Sequence, residues 1–156
     1  MTESSTYHDL MQAQQHYFAG GATRSAAFRL DVLRGLKRAV KKYEPEIITA
    51  LHNDLGKSEF ESYASEIGML YAEIDLFCHK LRHWMKPSNA PIALGNMPAS
   101  GRIYPEPYGQ VLIFSAWNYP FQLAMSPLVA ALAAGNCVVL KPAEQAAATA
   151  AVLARL

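Results

Sequence analysis

Apolar residues in the first half of the chain recur three and four positions apart, the spacing of a helix with one buried face. Leu10, Ala13, Tyr17 and Phe18 predict a short amphipathic helix closed by Gly20-Gly21. Thr23 is positioned to cap a second helix with the stripe Leu33, Leu36, Val40 and Tyr43. Pro45 is expected to restart the chain as a third, with Ile47, Ile48, Leu51 and Leu55 inward and Gly56 at its end. Ser58 and Glu61 then have capping-box spacing. The clearest periodicity follows in Tyr63, Ile67, Leu70, Ile74, Phe77, Leu81 and Trp84, alternately four and three apart until Pro87. Such a helix either lies across other helices or pairs as a coiled coil, and the first reading is preferred.

The pattern changes twice after that. Residues 87–107 are rich in Pro, Gly, Ala, Ser and Asn and read as a connector, with Arg102-Ile103-Tyr104 as a short strand that flanking prolines restrict to an edge. From Gly109 onward, Gln110-Val111-Leu112-Ile113-Phe114 is a continuous apolar run, as in a strand covered on both faces. A small-residue helix over 120–134 follows, with Pro120 in its first turn. Gly135-Asn136 turns the chain into a second buried strand, Cys137-Val138-Val139-Leu140, and a further helix begins at Ala143. This is one right-handed βαβ crossover.

The expected organisation is therefore a helical segment 1–86, a connector 87–107, and the first part of an α/β Rossmann-like, doubly wound domain from 108. Two parallel strands do not make a sheet with both faces covered, and no helix stop precedes Leu156. The chain is expected to end inside that domain.

Composition narrows the function classes. With 51% apolar and 17% charged residues it is an ordinary globular mixture. Fourteen basic against thirteen acidic residues leave +1, which argues against a nucleic-acid partner. The basic run Arg34, Lys37, Arg38, Lys41, Lys42 has helical spacing and reads as a solvated face. The polar start from Met1 to Asp9 is no secretory signal, and Leu128–Leu140 is too short and too interrupted for a membrane span. Cys78 and Cys137 make no disulfide framework, so a reducing cytoplasm is expected. His79 and His83 lie one helical turn apart without further ligands, so no metal site is expected.

Candidate chemistry gathers where both strands end, the edge at which open α/β sheets bind ligands. Asn118, in Trp117-Asn118-Tyr119-Pro120-Phe121, follows the first strand. Its amide can donate to a developing oxyanion; it can equally serve as an ordinary N-cap. Lys141 and Glu144, in Lys141-Pro142-Ala143-Glu144, set an ammonium and a carboxylate after the second strand. They suit a ligand needing both a donor and an acceptor, or they are a solvated pair at a helix start. Cys137 lies within an apolar strand, where burial makes a thiol inert.

The order of these two runs resembles the aldehyde dehydrogenase superfamily, especially its class 3 branch, most specifically from Pro105 to Glu144. The resemblance implies the N-terminal portion of an NAD(P)-dependent enzyme that oxidises aldehydes to carboxylic acids through a cysteine thiohemiacetal. It implies that Asn118 is the oxyanion donor and that Lys141 and Glu144 hold the adenosine ribose hydroxyls. Glu144 would repel a 2′-phosphate, which tilts the cofactor from NADP toward NAD. Phe114, Ser115, Ala116 and Trp117 are expected to lend backbone to the cofactor cleft, and Tyr119 to face the aldehyde channel; packing is the rival role for each. Ala143 departs from the Ser usual in class 3. The nucleophilic Cys and general-base Glu would lie beyond Leu156, leaving this chain inactive by itself. The connector strand would contribute to a homo-oligomer, a dimer in the parent enzyme. The rival readings are a non-catalytic association module and an acyl-transferring or semialdehyde relative.

Overall fold

A computed structural model of the chain describes residues 3–156; the Met1-Thr2 start lies outside them. The elements are α1 (Glu3–Ala19), α2 (Ala26–Leu55), α3 (Glu59–Ser62), a π turn (Tyr63–Ile67), α4 (Gly68–Trp84), β1 (Ser88–Ala90), β2 (Gly101–Ile103), β3 (Gln110–Phe114), α5 (Gln122–Ala134), β4 (Cys137–Lys141) and α6 (Ala147–Leu153). α2 packs against α4, α5 and α6, so helices and crossover share one core. Leu33, Val40, Ile47, Leu51, Ile67, Leu70, Ile74, Phe121 and Val129 are fully buried within it.

Three expectations about the helices change. Ser25, not Thr23, caps α2: its Oγ accepts from the Phe28 amide at 3.1 Å. Thr23 is buried and gives its carbonyl to Arg29 instead. Pro45 does not restart the chain; it sits inside one helix of thirty residues. A mid-helix proline forfeits a backbone hydrogen bond at about 3 kcal/mol. Leu33 and Val40 before it and Ile47 and Leu51 after it are all fully buried, and a break would pull that stripe off the core. α1 is the third. Leu10, Met11 and Tyr17 stay exposed, and the helix is held by polar contacts. Gln14 Nε2 donates to the Val138 carbonyl at 3.0 Å, and Gln110 Nε2 donates to the Met11 carbonyl at 2.6 Å.

The long periodic segment is helical from Glu59 to Trp84 but not uniformly α. The Gly68 amide bonds the Tyr63 carbonyl five residues back, closing the π turn. A side chain at Gly68 would begin 3.1 Å from that carbonyl, a tight contact that glycine avoids. The extra residue rotates the helix start. Ile67, Leu70, Ile74 and Leu81 are buried as expected, Tyr63 and Trp84 are exposed, and Glu66 turns inward.

The connector holds two strands, not one. β1 pairs antiparallel with β2, with Ser88 opposite Ile103. β3 and β4 pair in parallel, in register from Gln110 opposite Cys137 to Phe114 opposite Lys141. α5 covers one face of this pair. Ile113 is buried against it while Leu112 and Phe114 stand exposed, so within this chain β3 is covered on one face only.

Candidate active site at the carboxyl edge of the sheet

The parallel register brings the two polar turns together. Phe114 ends β3 directly opposite Lys141 at the end of β4. The Ser115 amide extends the ladder by one bond, to the Lys141 carbonyl at 3.0 Å. Ser115 Oγ lies 3.2 Å from both the Ala116 and Pro120 carbonyls, which closes the turn on itself. Ala116, Trp117, Asn118 and Tyr119 are all exposed on its outside.

Asn118 is not the cap of α5. That helix starts at Gln122, and its free amides point to a carboxylate from the other half of the chain. Glu66 Oε2 accepts from the Phe121 amide at 2.9 Å and from the Gln122 amide at 3.1 Å. Among the described residues the Asn118 side chain makes no hydrogen bond, so its amide remains available to a ligand. Its carbonyl accepts from Lys57 Nζ at 3.4 Å. The same ammonium lies 4.0 Å from the centre of the Tyr119 ring and pairs with Glu66 Oε1.

Across the edge, Lys141 Nζ donates to Glu144 Oε1 at 2.8 Å. That bond holds the Glu144 carboxyl below its ordinary range, so it stays ionised at neutral pH. Both groups face solvent, as a donor and an acceptor side by side. The opposite edge of the strands is closed structurally. Asn136 Oδ1 accepts from the Gly109 amide and Asn136 Nδ2 donates to the Ala131 carbonyl. A cavity of about 400 Å³ lies at that far end between α1, α2 and β4; its walls are mostly apolar and it touches neither turn.

The thiols are remote from this edge. Cys137 is buried at the start of β4, with its Sγ donating to the Gln14 carbonyl, and Cys78 is half-buried on α4. Burial pushes both thiols up from their ordinary value. Among the described residues no three His, Cys, Asp or Glu side chains are grouped to hold a metal ion.

A model of the aldehyde dehydrogenase family matches residues 2–156. The chain belongs to that family. It is 42% identical over 153 residues to aldehyde dehydrogenase family 3 member H1 of Arabidopsis thaliana, covering 98% of this chain and 32% of that one. It is 44% identical over 151 residues to family 3 member B1 of Rattus norvegicus, covering 97% and 32%. Among solved structures, the substrate-bound state of Staphylococcus aureus AldH superposes with a TM-score of 0.92 at 38% identity, covering 96% of this chain and 32% of that protein. The chain thus spans about a third of the length of the aldehyde dehydrogenases it matches.

The sequence singled out both turns but missed what holds the first of them, Lys57 and Glu66. One signal was present: Glu66 lies three residues after Tyr63 and four before Leu70, a charge on the apolar face of the long helix.

Proposed function

We propose that this chain is the N-terminal part of an NAD(P)-dependent aldehyde dehydrogenase of the class 3 kind, supplying the oxyanion donor and the ribose-binding pair. The observation that carries it is the register of β3 against β4. It sets Phe114, which leads into the Asn118 turn, opposite Lys141, which leads to Glu144, and this supports a single cleft at that edge.

The donor set suits the cofactor. Lys141 offers N–H groups and Glu144 offers ionised oxygens to a vicinal diol, and both are solvent-facing. NAD(P), when bound, supplies the hydride acceptor. This chain orients the ribose through those two side chains and lends the Ser115–Trp117 backbone to the cleft. The negative Glu144 disfavours a 2′-phosphate and so favours NAD. Asn118 donates its N–H to the aldehyde oxygen as that oxygen gains charge, while Tyr119 borders the approach.

Neither thiol here is activated, so in the proposed parent the nucleophile is expected from the part of the enzyme that this chain does not span. The 156-residue chain alone therefore oxidises no aldehyde. The exposed Ile103 and Tyr104 at β2 support a homo-oligomeric parent, and two unpaired cysteines suit a reducing cytoplasm. No helix among the described residues is long and apolar enough to cross a membrane.

The test is cofactor preference in the full-length protein. Replacing Glu144 by Gln removes the charge and keeps the shape. The preference for NAD over NADP should fall on the order of tenfold, equivalent to about 1.4 kcal/mol, with kcat for the aldehyde little changed. An unchanged cofactor preference would remove Glu144 from the ribose site.

A further inference from the structure

A buried ion pair lies directly beneath the Asn118 turn. Lys57 is 7% exposed and Glu66 is fully buried. One Glu66 oxygen meets the Lys57 ammonium and the other takes the Phe121 and Gln122 amides. The ammonium also reaches the Asn118 carbonyl and lies against the Tyr119 ring. Backbone from Asn118 to Gln122 is thus gripped at the carbonyl of its first residue and at the amides of its last two. The Asn118 side chain is free, so its aim depends on that backbone. A buried ion pair is a weak source of stability, because desolvation offsets its attraction. Its hydrogen bonds nonetheless have fixed directions, which suits it to setting geometry.

We infer that Lys57 and Glu66 are positioning residues for the oxyanion donor: together they hold the Asn118 amide where it meets the aldehyde oxygen. This rests on the oxyanion reading of Asn118 given above. Loss of either partner leaves the turn intact in sequence but free to shift, and misplacement by about 1 Å costs on the order of 100-fold in rate. The ribose pair stands on the neighbouring strand and is untouched by the change.

The test uses the full-length enzyme carrying Lys57→Met, Glu66→Gln or both, each with and without Asn118→Ala. With Asn118 present, kcat should fall by about 10- to 100-fold while the KM for NAD stays level. With Asn118→Ala already in place, the same changes should lower kcat little further, because residues acting through one group are not additive. Hydrogen exchange should quicken at the Phe121 and Gln122 amides and not along α6. If Asn118→Ala lowers kcat but Lys57→Met and Glu66→Gln leave it intact and merely lower the melting temperature, the positioning role is wrong and the oxyanion reading stands. If the two losses simply multiply, the pair acts elsewhere and the proposal is overturned. A silent Asn118→Ala overturns both. Failure of every variant to fold overturns it as well, since the pair would then hold the whole structure and not the turn.

Discussion

At the scale of single residues, the two cysteines separate chemistry from packing. Cys137 stands in an apolar strand with its Sγ facing the Gln14 carbonyl, and burial raises its thiol pKa. A raised thiol is less ionised at neutral pH, and the thiolate is the reactive form. Iodoacetamide at neutral pH should therefore leave Cys137 unlabelled in the folded chain by peptide mass mapping, with labelling appearing only on denaturation or well above the usual thiol range. Rapid labelling in the folded state would contradict the burial. The burial of Cys137 was legible from the sequence, because it needs only an apolar neighbourhood. The role of Glu66 was not. A glutamate on the apolar face of a helix signals a buried charge, but its partners stay hidden until the amides of a helix distant in sequence are seen to end on it. Thr23 failed for a related reason: Ser25, two residues on, competes for the same cap, and local spacing did not choose between them.

At the scale of elements, carboxylates from the helical half cap the crossover helix α5 and the helix α6 that follows β4. Glu66 caps α5, and Asp54 near the end of α2 caps α6. Its oxygens accept from the Ala148 and Thr149 amides at 3.0 and 2.7 Å and from Thr149 Oγ1 at 2.7 Å. Arg29 serves the other end of α5, donating to the Ala133 carbonyl. Side chains α5 and α6 lack in their own first turns are thus supplied across the core. Asp54→Ala should lower stability by about 0.5–2 kcal/mol, the range for a lost helix cap, measured by urea unfolding. No change in midpoint would mean that α6 needs no cap. Periodicity made the existence of these helices legible, since it follows from burying one face. Their continuity was not, because Pro45 is a breaker by local chemistry and is overruled by the stripe it interrupts.

At the scale of the molecule, a helical layer braces the start of a parallel sheet and gathers two chemically distinct turns at one edge. The order strand, turn, helix, strand, turn was readable from sequence and already set both turns at that edge. Their contact depends on register, a long-range property that no local pattern fixes. The exposed Leu112 and Phe114 mark the uncovered face of β3. The central claim is that Asn118 acts on the substrate and not on the fold. Its most direct test is the steady-state rate of aldehyde oxidation by the full-length protein bearing Asn118→Ala, with NAD binding and thermal unfolding followed alongside. The account predicts a fall in kcat of about 10²–10³-fold, the usual loss for one oxyanion donor, with NAD affinity and melting temperature close to the parent's. An unchanged kcat with a lowered melting temperature would contradict it and make Asn118 a structural residue.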